Sequence, residues 1–150
     1  MRNISNAATG GIVVTEGNKS VKISGVVIID AATGLPRSNQ LTPIAAIITT
    51  GTAISSGVDL GAGRVVRLDV PAAWTTANIT FQASTDGVTY FNLHDKAGAE
   101  YIVTAAPSRS IIIPLADLEG VRYIKVRSGT AAAPVNQLTS DKTITLVLKA

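Results

Sequence analysis

The sequence predicts an all-β domain of antiparallel sandwich or barrel type, and three observations carry that reading. Apolar residues alternate with polar ones or run in short blocks, and few segments have helical spacing. Gly, Pro, Asn or Asp breaks these blocks at intervals of about eight to twelve residues. The apolar bulk is Ala, Val, Ile and Leu with many Thr and Ser between, and β-branched side chains suit the pleated surface of a sheet.

Each element can be justified in order. Residues 1–11 are polar and Gly-rich, which predicts an extended arm. Ile12–Thr15 and Ser20–Ile29 read as a hairpin around Glu16-Gly17-Asn18-Lys19; Lys22 and Ser24 alternate with Val21 and Ile23, and Val26–Ile29 is apolar on both faces. Ala31–Gln40, with Gly34 and Pro36, is a connector. This places a boundary near residue 40, with an arm and hairpin for docking or assembly at 1–40 and the sandwich at 41–150.

Leu41–Thr50 is an aliphatic strand, although Ala45-Ala46 leaves a short helix open. A short strand and a turn around GVDLGAG follow, and Arg64–Val70 is a strand closed by Pro71. Asn78–Ser84 alternates cleanly: Ile79, Phe81 and Ala83 on one face, Asn78, Thr80, Gln82 and Ser84 on the other. Asp86-Gly87 predicts a tight hairpin turn returning through Val88–Leu93. Tyr101–Thr104, Ser110–Ile113 and Val121–Arg127 are further strands, and Pro114–Leu118 suits one helical turn. Thr143–Lys149 closes the chain as a strand with Ile144, Leu146 and Leu148 inward and Thr143, Thr145 and Val147 outward.

Composition narrows the function classes. There are no cysteines, which excludes a disulfide framework, a thiolate zinc site and a cysteine nucleophile. Thirteen basic residues against ten acidic ones is a mild excess, and the basic residues are scattered, so nucleic-acid binding is not expected. No apolar run approaches the ~20 residues of a membrane span, and MRNISNAATGG has no apolar signal stretch; neither membrane insertion nor Sec export is expected. Charged residues make up only 15% of the chain. A free soluble monomer usually carries more surface charge, so part of this surface is expected to be covered in an assembly.

The second half carries a resemblance. DLGAGRVVRLDVP, NITFQASTDGVTYFNL and VRYIKVRSG resemble the early strand, central hairpin and later strand of discoidin-like (coagulation-factor C-type) jelly rolls. The stretch Asp59–Ala150 also resembles uncharacterised proteins encoded beside structural genes of tailed phages. Their recurring W-T-x-A-x-x-T-F-Q-x-S-x-D-G, L-K-V-R-S-G-T and P-V-N-Q stand here as Trp74–Gly87, Ile124–Thr130 and Pro134–Gln137. The S-x-DG hairpin alone is common; the order of features is more specific. The cysteine pair of many extracellular discoidin domains is missing. The resemblance implies an antiparallel jelly-roll β-sandwich and a bacteriophage virion structural protein assembled in the host cytoplasm. Such a protein would be a head-decoration, head-fibre-base or tail-associated subunit that contacts other capsid or tail proteins as a homo-oligomer. Residues 1–40 have no counterpart in the jelly-roll pattern and would serve docking.

No catalytic set or cofactor is expected. The single histidine, His94, sits in HDKAGAE without a nucleophile at a telling spacing. No G-x-S-x-G elbow and no phosphate-binding glycine motif occurs. Asp86, Asp95, Glu100, Asp117 and Glu119 are oxygen donors without a D-x-D-x-D-G loop; only the resemblance suggests a structural calcium. Two surfaces remain. Trp74, His94 and Tyr101, which fall in or beside loops, with Arg109 and Asn92 as hydrogen-bonding partners, are candidates for contact with a host surface polysaccharide or a partner; for Trp74 the favoured reading is a residue plugging the end of the core, because Trp is highly buried on average. Tyr123, Lys125 and Arg127 share one face of a strand and form a candidate cationic contact face.

Overall fold

The computed structural model describes three strands in the first forty residues, by their backbone alone, and residues 41–150 in full. Met1–Gln40 and Leu41–Ala150 are separate compact units. The first contains β1 (Asn3–Ala7), β2 (Gly11–Glu16) and β3 (Lys19–Lys22) in one antiparallel sheet of order β1-β2-β3. Where the sequence predicted an arm, Asn3 to Ala7 pair with Thr15 to Gly11. A polar strand can form on backbone ladder bonds alone, which leaves no apolar alternation to read. The predicted strand over 20–29 is realised as Lys19–Lys22, and 23–40 lie outside the described residues.

The second unit is a β-sandwich. Its strands are β4 (Leu41–Ile48), β5 (Val58–Asp59), β6 (Arg64–Val70), β7 (Ile79–Ser84), β8 (Phe91–Asn92), β9 (Arg109–Ile112), β10 (Tyr123–Ser128) and β11 (Lys142–Lys149). They form two antiparallel sheets of four, ordered β5-β10-β7-β8 and β4-β11-β6-β9. The chain changes sheet at every connection except β7 to β8, so the two layers are stitched together along their length. Among the described residues there is no helix: Leu41–Ile48 is strand throughout, and Pro114–Gly120 is a pair of tight turns that buries Leu118.

The core lies between the sheets. Ile79, Phe81, Ile124 and Val126 come from one layer; Ala46, Ile48, Val65, Leu68, Ile144, Leu146 and Leu148 come from the other. Burying each such aliphatic or Phe side chain contributes about 1.5–3 kcal/mol. β6 keeps both Val65 and Leu68 inside by a bulge: Leu68 faces Leu146, but Val65 faces Leu148, so Val66 is the extra residue. The Ile113 N–H donates to the Val66 carbonyl at 3.0 Å and satisfies the bulge.

Two faces are more covered than alternation predicts. Val147 is buried although it points away from the core, because β11 is a central strand and Val147 lies between Pro43 and Arg67. Thr80 is likewise buried on the outer face of β7, its hydroxyl donating to the Gly129 carbonyl at 2.8 Å. The predicted two-residue hairpin is instead the loop Thr85–Tyr90, and the returning strand is only Phe91–Asn92. The Asp86 carboxylate accepts the N–H groups of Val88 and Thr89 at 2.8 Å and the Ser84 hydroxyl at 2.8 Å. Those bonds hold the backbone in a wider side-chain-closed turn, with Gly87 at φ 74°.

Candidate contact surface

The outer face of β5-β10-β7-β8 is built by register. Asp59, Tyr123 and Ser84 form one cross-strand row; Lys125, Gln82 and Asn92 form the next; Arg127 and Thr80 form the third. Residues opposite one another in a ladder share a face, so β10 presents Tyr123, Lys125 and Arg127 together while Ile124 and Val126 enter the core.

Two tyrosines organise the exposed part. The Lys125 ammonium lies 4.2 Å from the Tyr90 ring centroid, and the Arg122 guanidinium carbon lies 5.1 Å from that of Tyr123, both within cation–π range. A glycine underlies each ring. A methyl group at Gly57 would collide with the Tyr90 hydroxyl, and one at Gly87 would lie 3.2 Å from the Tyr123 ring. Burial raises the Tyr90 pKa, with Asp86 adding a smaller push. Asp59 is held below the usual carboxylate range by the Gly61 N–H and then by Arg122. Gln82 donates to Asn92 at 3.1 Å, setting two planar amides beside the cation.

Arg127 departs from the expectation of a contact face. It is buried, because loop residues close over this end of the sheet. Its guanidinium donates to Glu100 at 3.1 Å and to Asn92 at 2.7 Å, and Glu100 also accepts the Ala131 N–H at 2.9 Å. The contact face therefore reduces to Tyr123 and Lys125, and Arg127 anchors the loops beside it.

The four loop candidates do not converge. Trp74 is only 4% exposed, and its indole N–H donates to the Ala77 carbonyl at 3.1 Å; it plugs the core. His94 is exposed, with Nδ1 3.0 Å from the Asn92 carbonyl oxygen. Tyr101 is half-buried against Phe81, ring centroids 5.9 Å apart, and donates its hydroxyl to Asp117 at 2.7 Å. That bond and burial raise its pKa, burial contributing most. Arg109 stands on the opposite sheet, at the start of β9. Among the described residues no group of three or more metal-ligating side chains comes together. Gln82 was missed as a contact residue; its signal is the pairing with Lys125, some forty residues away, which is not written in local alternation. Tyr90 lies in the loop, outside the strand ladders, and reaches Lys125 from there.

Compared with known protein families, curated proteins and solved structures, the chain matches none.

Proposed function

We propose that this chain is a structural protein of a tailed-phage particle, a head-decoration, head-fibre-base or tail-associated subunit that acts by protein–protein adhesion in many copies. The observation that carries this reading is exposed apolar bulk on a domain of low charge. Phe91 is 70% and Ile112 81% exposed, on the edge strands β8 and β9, and Val88 and Leu138 are exposed as well. Edge strands are normally protected by charge, proline or a covering segment, and apolar groups left on such edges support contact with other subunits. The resemblance of Asp59–Ala150 to proteins encoded beside structural genes of tailed phages supports the same class.

The test is location. Immunogold labelling and mass spectrometry of purified particles should find the chain at a regular site in many copies. Particles that lack it, made by cells that express it, would rule the assignment out.

One arrangement favours a second reading, a carbohydrate-binding module for host surface glycans. Half-exposed Tyr90 and Tyr123 lie beside Lys125, Gln82 and Asn92 at the outer face of β5-β10-β7-β8. Aromatic faces stack on the apolar side of a sugar ring while planar amides and a cation hold its polar groups. Tyr90→Ala and Lys125→Ala should each weaken retention in gels carrying an acidic polysaccharide, while Trp74→Phe should not. Equal retention of all three variants would remove this surface from consideration.

A further inference from the structure

We infer that copies of this chain join head to tail through the sheet β4-β11-β6-β9, with β4 of one copy adding to β9 of the next. The inference deepens the adhesive reading above and rests on it in taking the chain to act in many copies.

The argument begins with which backbone groups are spent. In an antiparallel ladder a residue sends its N–H and C=O to the same neighbour, and successive residues alternate. Ile113 donates to Val66, and Ile111 faces Leu68 in the same register. Ile111 and Ile113 therefore face β6, and Ser110 and Ile112 turn their backbone groups to the open edge. Leu68 is spent on β9, so Leu146 opposite it turns to Ile44 on β4. That assigns Thr42, Ile44, Ala46 and Ile48 to β11 and leaves Leu41, Pro43, Ala45 and Ile47 facing outward. Pro43, which has no N–H, falls at a position where the ladder needs none, as edge prolines do.

Both edges are therefore arrays of unused donors and acceptors, and among the described residues no other strand pairs with either. The protection on both edges is slight. β4, LTPIAAII, has no charge and a single proline, Pro43, near its start, which leaves Ala45 and Ile47 open; β9 has one charge, Arg109, at its first residue, and Ser110 and Ile112 are uncharged. The β9 edge opens into a groove of about 540 Å³ bounded by Thr104, Ala105, Ala106 and Arg109.

The two edges fit each other. The four strands alternate in direction, so β4 and β9 are antiparallel. A second copy in the same orientation brings its β4 antiparallel to β9 and continues the sheet without a flip. The outer faces then run on. Ile112 shares its row with Arg67, Val147 and Pro43, and the exposed Leu41 (54%) and Ile47 (44%) lie on that same face. With Ser110 opposite Ile47 and Ile112 opposite Ala45 of the next copy, every N–H and C=O of these four residues is paired, and the large Ile112 lies beside a small residue. A two-fold β4–β4 contact would leave Ile112 uncovered. A repeated head-to-tail contact closes into a ring if its rotation allows and otherwise extends as a fibre.

The test uses the full chain in sedimentation velocity and light scattering. Wild type should assemble beyond a dimer as concentration rises. Ile47→Lys and Ile112→Lys should each be monomeric, with thermal melts matching wild type; Ile47→Ser and Ile112→Ser serve if a lysine variant does not fold. A one-to-one mixture of the two lysine variants should form a heterodimer and nothing larger, because one copy keeps a working β4 and the other a working β9. A monomeric wild type at every concentration, a mixture that stays monomeric, or assembly indifferent to Ile112→Lys would overturn the inference. Loss of assembly on Ile47→Lys alone would instead identify a two-fold β4–β4 dimer. A wild-type oligomer insensitive to both changes sinks this contact and leaves the adhesive reading standing; absence of the chain from particles sinks the latter separately.

Discussion

Arg127 and Glu100 form an ion pair of 3.1 Å whose side chains are 9% and 16% exposed. It joins β10 to the loop before Tyr101, and the Ala131 N–H draws the following loop onto the same carboxylate. Water screens such a pair little, so breaking it leaves an uncompensated charge. Glu100→Ala should destabilise the domain by about 3 kcal/mol, read from urea unfolding. Replacing both residues, Glu100→Leu with Arg127→Met, should recover most of that loss, since apolar substitutes leave no buried charge. A double variant as unstable as the single one would show that the pair's bonds to Asn92 and Ala131, rather than its charge, hold the loops.

Trp74 provides a stability prediction where the sequence allowed a binding one. Its ring is enclosed by core residues and its N–H is satisfied by Ala77. Emission should be blue-shifted and poorly quenched by acrylamide in the folded domain. Trp74→Ala should cost about 3–5 kcal/mol, visible as a lower denaturation midpoint. Strong quenching in the native state would place the ring at the surface.

Acid should weaken the fold through its turn carboxylates. Asp86 is pulled far below the ordinary value of 3.8 by the Val88 and Thr89 N–H groups and then by Ser84. Asp141 is lowered by the Thr50 N–H and hydroxyl. A folded-state pKa below the unfolded one means a contribution present in full above the unfolded value and lost as pH falls through the folded one. Stability should hold at neutral pH and decline from about pH 4 downward. Asp86→Asn should be less stable than wild type at neutral pH, and the gap should narrow as pH drops. A gap that stays constant down to pH 2 would show that the Asp86 charge does not contribute.

These contacts mark how far the sequence could be read. β6 was legible residue for residue, because RVVRLDV is bounded by Gly63 and Pro71. β11 was legible because Ile144, Leu146 and Leu148 repeat at a period of two. Tyr123 and Lys125 could be assigned to one face by the same rule. Burial of polar residues was not legible. Thr80 and Arg127 look like ordinary outward positions until loops from other parts of the chain close over them, and nothing local encodes that closure. The Asp86 turn was misjudged in width because Asp-Gly also marks a two-residue hairpin, and only its side-chain bonds distinguish the two.

The glycines make opposite predictions from similar substitutions. At Gly57 an added methyl group meets only the end of the Tyr90 side chain. Gly57→Ala should leave stability within about 0.5 kcal/mol, yet push Tyr90 away from Lys125, so retention by an acidic polysaccharide should fall. At Gly129 φ is +84°, and a methyl group would run into the Ala133 carbonyl oxygen and lie 2.8 Å from the Val135 nitrogen. Backbone cannot swing aside as a tyrosine can. Gly129→Ala should cost more than about 1 kcal/mol, in urea melts of both variants side by side. Comparable losses would mean that the Ala133–Val135 backbone yields.

The last prediction concerns two buried polar side chains that tie the segment before β11. Gln137 is fully buried; its carbonyl accepts the Thr75 N–H at 2.8 Å, and its amide donates to the Thr75 carbonyl at 2.9 Å and the Ser128 hydroxyl at 2.7 Å. Lys142, almost as enclosed, directs its ammonium to the carbonyls of Leu138 and Ser140 and to the Ser140 hydroxyl, each at 2.9 Å. Between them Thr139 is held at φ 76°, a conformation that disfavours β-branched residues. Lys142→Met keeps most of the side-chain volume but leaves those carbonyls without a buried donor, which costs about 1–3 kcal/mol. Thr139→Gly relieves the backbone at the same turn and should recover part of the loss in the double variant. If Lys142→Met matched wild type in urea unfolding, water would be supplying the missing donor; if Thr139→Gly made it worse, the threonine hydroxyl would matter more to the turn than its strained backbone.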